Sequence, residues 1–358
     1  MTIVYAIIIF CILIFIHETG HLISAKAVGI RVNEFAIGMG PRLFGFKKGE
    51  TAYSARLVPI GGFCAMEGED EDSDDPRAFN RKPMWAKALV LFSGSLMNIL
   101  LAIVILSMII FYLGQPMLTL KTVDESSPVA IDGLEAGDTI TEINGTPVNE
   151  WADVPAILQN LVNNANGAVV NPNADDKYAE VSIANIAIAI TVDRNGETQT
   201  INSFLYFDAD ENLKIGITPA QGHSFKYFFE SFGLGAQATW DMVKMMYQFL
   251  GQLFTGQAGL DQLTGPVGVV KVVSESAKAG FISVLQIAAL ISLNLGIVNL
   301  LPFPALDGGR LLFLVIRKFA GKKVTDDVEG KFHLVGIMLL FALMIIITIQ
   351  DVDRFILQ

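Results

Sequence analysis

The sequence predicts a polytopic α-helical membrane protein: four transmembrane helices, a membrane-associated β-hairpin and an inserted extracytoplasmic α/β domain. Composition is the first reason. Of 358 residues 52% are hydrophobic and only 17% charged, against roughly 25% charged in an ordinary soluble domain, and the mean hydropathy is +0.49. The second reason is that the apolar excess falls in four uncharged runs, where about 20 apolar residues cross a hydrocarbon core of ~30 Å. The third is a long polar, acidic insert between the second run and the third.

The first span covers 1–25, where an almost unbroken Ile/Leu/Phe stretch is interrupted by His17 and Glu18 before Leu22 resumes it. A cleavable signal would carry a basic residue ahead of its apolar core, and none precedes Lys26. Segment 26–87 follows as a loop. Within it, residues 32–66 mix apolar and polar residues around repeated glycines, the pattern of short strands and turns. A β-hairpin dipping toward the membrane is expected there, which its backbone tolerates only if protein or a wet cavity covers it. Glu67–Asp75 reads as a solvated acidic loop. The second span is 88–113.

The insert opens with a domain at 114–210. It has strands at Leu118–Val123, Thr139–Ile143 and Ile183–Val192, a helix at Val154–Val162, and an Asn-rich exposed loop within 163–177. Segment 211–278 carries an aromatic and Met-rich stretch, Phe225–Phe254, which is either an amphipathic interfacial helix or a core helix of the outer domain. The third span is 279–306, a loop fills 307–331, the fourth span is 332–350 and a tail ends the chain at 351–358.

Basic residues near spans favour the cytoplasm. Residues 26–87 hold 10 Lys and Arg and 307–331 hold 6, whereas the longer 114–280 holds only 8 beside 20 acids. The insert therefore faces outward and the two short loops inward. The net charge of −11 belongs to that insert, and it argues against a nucleic-acid partner, which needs clustered bases to neutralise phosphates. The bilayer is the partner the composition implies. Cys11 and Cys64 are the only cysteines, one in an apolar run and one in a polar loop, so no disulfide framework is expected.

His17-Glu18-Thr19-Gly20-His21 is the sharpest chemical signal. Histidines four apart on a helix differ by about 40° in azimuth and about 6 Å in height, so both can reach one tetrahedral metal. Glu18 lies about 100° round from His17, placed to touch a water at that metal. Unpaired ionisable groups inside a membrane run are costly, which argues against incidental placement. Fifteen apolar residues climb about 22 Å of a ~30 Å core, placing His17 in the inner half of the bilayer. A catalytic zinc needs a third protein ligand. Asp307, closing the third run, reaches the same leaflet because that run and the first share a direction. His223 and His333 are weaker rivals. Asn98, Asn294 and Asn299 are amides within spans that need partners, either one another or a substrate backbone.

Together these residues resemble the site-2 protease family of intramembrane zinc metalloproteases, specifically the bacterial regulator-of-sigma-E protease type. The resemblance runs over nearly the whole chain. It rests on the His17–His21 motif, the Gly-rich hairpin, Leu263-Thr-Gly-Pro-Val-Gly268, and Asn299 to Gly309, which follow the family's NxxPxPxLDGG pattern. Residues Glu125-Ser-Ser-Pro-Val-Ala130, Ala136-Gly-Asp-Thr-Ile140 and Ile143-Asn-Gly145 resemble a single PDZ domain, as in the Gram-positive branch. The second span reads Ser93-Gly-Ser-Leu-Met-Asn98 where relatives usually carry Gly-Pro.

The resemblance implies one Zn2+ per chain held by His17, His21 and Asp307, with Glu18 as catalytic base and Asn98, Asn294 and Asn299 at the substrate. It implies a bacterial plasma-membrane enzyme that cuts single-span proteins such as anti-sigma factors, or remnant signal peptides, with a peptide end or a size filter for the PDZ domain. From the residues alone a metal-ion transporter and a non-catalytic membrane-anchored PDZ scaffold are the alternatives. The first would need polar groups spread through the spans. The second has no use for Glu18 between two histidines.

Overall fold

Ile, Leu and Phe dominate residues 6–16 without a helix breaker, and the first helix continues through the polar motif until Gly29, whose φ of 71° ends it. The chain was described in a computed structural model, which covers residues 2–69, 71–164, 182–207, 213–259, 262–320 and 326–354. In order come α1 (Thr2–Ala27), β1 (Val32–Lys48), β2 (Thr51–Met66), α2 (Met84–Leu113), β3 (Gln115–Val123), α3 (Pro128–Ile131), β4 (Thr139–Ile143), β5 (Thr146–Pro147) and α4 (Asp153–Asn164). Then follow β6 (Ser182–Arg194), β7 (Glu197–Phe207), β8 (Leu213–Lys214), β9 (Ile217–Gly222), α5 (Phe225–Phe254), α6 (Pro266–Ala279), α7 (Phe281–Asn299), α8 (Asp307–Ala320) and α9 (Asp326–Val352). Among the described residues α1, α2, α7 and α9 are long and apolar enough to cross a membrane. The fold divides into two units, Met1–Ile109 with Glu230–Gln358, and Ile110–Phe229.

In the helical unit small residues let backbones approach, as expected where lipid supplies no hydrophobic drive between helices. A Cβ on Gly20 would stand 2.4 Å from the Ser93 carbonyl oxygen, and Ser24 Oγ lies 2.7 Å from Ser93 Oγ, so α1 and α2 meet closely. Helix α2 passes through Ser93–Asn98 unbroken. On its other side Ser292 Oγ of α7 donates to the Asn98 carbonyl at 2.8 Å. Ala6, Ile9 and Leu13 of α1 pack with Val273 of α6 and Ala288 of α7. Leu334, Val335, Met338, Leu339 and Phe341 of α9 are each more than half exposed. So large an apolar surface is out of place in water and suited to lipid.

The hairpin bends in mid-strand and doubles back. Residues 51–55 lie between 44–48 and 34–37, and 62–66 pair with 32–37 from the far side. The order is thus 44–48, 51–55, 34–37, 62–66, with 62–66 at an edge that no other strand pairs among the described residues.

The second unit is a seven-stranded sheet ordered β8-β7-β6-β4-β3-β9, with β5 beside β4. Its core is Leu120, Val129, Ile140, Ile143, Ile188, Ile190, Val192 and Leu205, with Val154 of α4 packed in. It extends past 210, because β9 pairs β3 with Val123 opposite Ile217. Most of the Asn-rich insert 163–177 lies outside the described residues.

Three expectations need correction. The stretch 307–331 is not simply a loop, since it starts with helix α8, which carries Asp307 in its first turn and Arg317 and Lys318 in its last, the charge order a helix dipole favours. Glu67–Asp75 is tied down rather than merely solvated: Glu67 accepts from Asn33 Nδ2 at 2.8 Å, Asp75 pairs with Arg31 at 3.4 Å, and Glu69 bridges to Arg310. Finally, α5 is not a core helix of the outer domain, because Met242, Val243 and Met246 pack on Ala102, Ala289, Leu293 and Ile297, while Trp240, Met245 and Tyr247 stay exposed.

Candidate metal centre

His17 and His21 sit one turn apart on α1, and Asp307 opens α8. The loop between α7 and α8 can turn back this tightly because Gly308 and Gly309 lack side chains: a Cβ on Gly308 would lie 2.2 Å from the Leu301 carbonyl oxygen, and one on Gly309 2.2 Å from that of Phe303. The turn brings Asp307 Oδ2 to 3.2 Å from His17 Nε2 and 3.5 Å from His21 Nε2. The two Nε2 atoms are 3.2 Å apart. Bonds of 2.0–2.1 Å to a tetrahedral zinc set ligand atoms about 3.3 Å apart, so all three edges fit that ion. Both histidines are 7% exposed.

The donor set supports the same reading. His21 Nδ1 lies 2.8 Å from the Val90 carbonyl oxygen, which can only accept, so Nδ1 carries the proton and the Nε2 lone pair faces the other ligands. Asp307 Oδ2 is buried with no hydrogen-bond donor among the described residues. Such a convergence of acceptors calls for a cation. Among the described residues this is the group of three or more His, Cys, Asp and Glu side chains spaced to hold a metal.

Glu18 is half-buried beside the triad, and its charge is felt by His21, His17 and Asp307. The edge segment 62–66 covers it: a Cβ on Gly62 would be 3.2 Å from Glu18 Cγ and 2.9 Å from the Ala36 carbonyl oxygen. The asparagines part company. Asn299 Nδ2, at the end of α7, lies 3.5 Å from His17 Nε2, on the metal side of the ring. Asn98 is fully buried and meets His17 from behind, its Nδ2 3.4 Å from Nδ1. Enclosed there, it stands against the ring of a histidine of the motif. Asn294 is exposed, about 140° round α7 from Asn299, and is not brought to the centre.

Gly94 escaped the sequence reading, although the small-residue run Ser93–Ser95 signals close helix packing. A Cβ there would stand 2.4 Å from His21 Nε2 and 2.9 Å from His17 Cε1. His333 is not a ligand: its Nδ1 accepts from the Ala305 N–H at 2.7 Å. His223 lies at the Tyr112 carbonyl in the other unit.

Comparison with known proteins places these features in a family. The profile of Peptidase family M50 matches residues 5–343. A Clostridium acetobutylicum relative is 37% identical over 98% of this chain and 97% of its own. The regulator of sigma-W protease RasP of Bacillus subtilis is 32% identical over 99% and 98%, and the zinc metalloprotease RasP of Shouchella clausii 29% identical over 99% of each. A PDZ domain from the SdrC-like protein of Listeria monocytogenes is similar to 31% of the chain and 92% of its own, at 20% identity and a TM-score of 0.18. With four membrane-length helices and a match over nearly its whole length, the chain belongs to Peptidase family M50, the site-2 proteases, and is a multi-pass, zinc-dependent intramembrane metalloprotease.

Proposed function

We propose that His17, His21 and Asp307 hold the zinc ion and that Glu18 is the catalytic base for peptide-bond hydrolysis within the bilayer. The observation that carries this assignment is the set of ligand-atom separations, 3.2, 3.2 and 3.5 Å. A zinc ion bound there supplies Lewis-acid polarisation of the scissile carbonyl and a lowered pKa for its water. Glu18 takes a proton from the attacking water and returns it to the amide nitrogen as the C–N bond breaks. The Asn299 amide, beside His17 Nε2, donates to the carbonyl oxygen as negative charge develops on it.

A helical substrate keeps its carbonyls in hydrogen bonds four residues apart and must be drawn out before attack. The edge at 62–66, unpaired among the described residues, runs over Glu18 and offers main-chain partners for an extended segment. Substrates are spans of single-pass proteins, such as anti-sigma factors, or remnant signal peptides in a bacterial plasma membrane. The excess of basic residues in 26–87 and 307–331 supports a topology with those segments inside and the sheet unit outside, where as a PDZ domain it filters by size or docks a trimmed peptide end.

The test is co-expression of a tagged single-span substrate with wild type, Glu18→Gln and Asp307→Asn, with zinc content measured on each purified protein. Glu18→Gln should lose cleavage and keep zinc, while Asp307→Asn should lose both. Wild-type cleavage by Glu18→Gln would overturn the assignment.

A further inference from the structure

Asp307 is delivered to the centre by a short turn, and that turn is strained. Ala305, two residues earlier, has a φ of 79°, a left-handed conformation that side-chain-bearing residues adopt only when their surroundings impose it. Helix α9 imposes it here. His333 Nδ1 accepts the Ala305 N–H at 2.7 Å. Three residues on, and so on the same face of α9, Gly336 lies against the residue before Ala305: a Cβ at 336 would be 2.4 Å from Pro304 Cβ and 2.6 Å from its carbonyl oxygen. The ring of His333 also packs 5.8 Å from that of Phe313 on α8. One helix face thus holds the turn from two sides and touches the helix that Asp307 begins.

We infer that His333 is a positioning residue for the third metal ligand, its Nδ1 holding the Ala305 N–H so that the 304–307 turn keeps Asp307 Oδ2 aimed at the two histidines. The inference rests on Asp307 being a ligand, as proposed above. A backbone N–H always donates, so Nδ1 must present its lone pair and the ring proton resides on Nε2, which faces Glu329 Oε1 at 3.6 Å. Without the acceptor, Ala305 can relax to negative φ, which swings the following peptides and takes Asp307 off its position. Groups that orient metal ligands typically change metal affinity by about 10–100-fold when removed.

Two nearly isosteric substitutions separate this role from general packing. Asn places its amide oxygen where Nδ1 stands, and Gln extends its own toward the place of Nε2. Zinc affinity of the full-length protein in detergent, measured by competition with a chromophoric chelator, should stay within about threefold of wild type in His333→Asn and fall about 10–100-fold in His333→Gln. Adding Ala305→Gly to His333→Gln should recover part of the loss, because glycine adopts positive φ without strain. Equal affinities for the Asn and Gln variants, or wild-type affinity in His333→Gln, would overturn the inference. Asp307→Asn in the same assay tells the two failures apart: if it too keeps wild-type affinity, the ligand assignment itself is wrong.

Discussion

His21 donates its Nδ1 proton to the backbone carbonyl of Val90 at 2.8 Å, so a residue on α2 sets which nitrogen of a ligand on α1 faces the metal position. The ring is held by a main-chain atom inside a helix, which no side-chain substitution removes. The motif His17–His21 is therefore not self-sufficient. Its ligand geometry depends on how closely α2 lies against α1, and the residues that permit this approach are open to test.

Gly94→Ala should cripple the centre while leaving the protein able to fold. The added methyl would start 2.4 Å from His21 Nε2, so either α2 or the ring must move. Alanine favours a helix over glycine by about 1 kcal/mol, but overpacking costs about 1–3 kcal/mol, so a small net loss of stability is expected. Zinc affinity should drop at least about tenfold. Normal zinc content with full activity would contradict this packing.

Asn98→Leu should weaken zinc binding by about tenfold without removing any ligand. The Asn98 amide presents Nδ2 to His17 Nδ1 at 3.4 Å, and its Oδ1 is buried without a partner. A half-turn of the amide exchanges the two and lets Oδ1 accept the Nδ1 proton, which leaves Nε2 free for the metal. Leucine keeps the branching at Cγ and loses the acceptor. Equilibrium dialysis against buffered zinc measures the effect; an unchanged affinity would show that His17 needs no support from α2.

Asp351→Ala should loosen the start of α6 from α9. Gly265, before Pro266, has no side chain to cap α6, and Asp351 supplies the missing acceptors, taking Gly265 N–H at 3.2 Å and Gly268 N–H at 2.7 Å. Loss of an N-cap costs about 0.5–2 kcal/mol, with the upper end expected because Asp351 is 3% exposed. Thermal unfolding in detergent should shift down accordingly, with zinc stoichiometry at 17, 21 and 307 unchanged. Wild-type stability would mean that water caps α6 equally well.

The metal motif was readable in the sequence because ligand spacing on a helix follows from backbone geometry alone, and the four spans because hydrophobicity over 20 residues is a local property. What the structure added depends on residues distant in the chain. Asn98 reads as an amide awaiting another asparagine or a substrate backbone until α1 is packed behind it. Asp351 reads as the start of a tail until α6 lies beside it. Strand β7 was missed although Asn195-Gly196, with φ of 55° and 88°, is a strong hairpin signal, because the polar residues after it hide the alternation. Helix α8 is hidden in the sequence because Arg310, Arg317 and Lys318 interrupt its apolar face and read as a basic loop between spans.

The sheet unit should lose stability in acid in part through Asp138. Asp138 is 1% exposed; burial pushes its carboxyl up, but Arg194 outweighs this, donating from Nε to Oδ1 at 2.6 Å and from its terminal nitrogen to Oδ2 at 2.7 Å, with the Glu135 N–H adding to Oδ2 at 2.9 Å. The net result is a carboxyl held below the usual carboxylate range. A depressed pKa in the folded state contributes stability that is fully present above the unfolded value of about 3.9 and is lost as pH falls through the folded value. Limited proteolysis of the full-length protein in detergent, followed at cleavage sites within 110–229, should therefore show flat protection from about pH 7 to 4 and a decline below that. Asp138→Asn leaves the half-buried Arg194 opposite a neutral amide and should lower protection at neutral pH by the equivalent of about 1–3 kcal/mol. Below about pH 4 the two proteins should converge, because wild type then loses the charge the variant never had. A constant gap at every pH would assign the difference to hydrogen-bond geometry and not to the carboxylate charge.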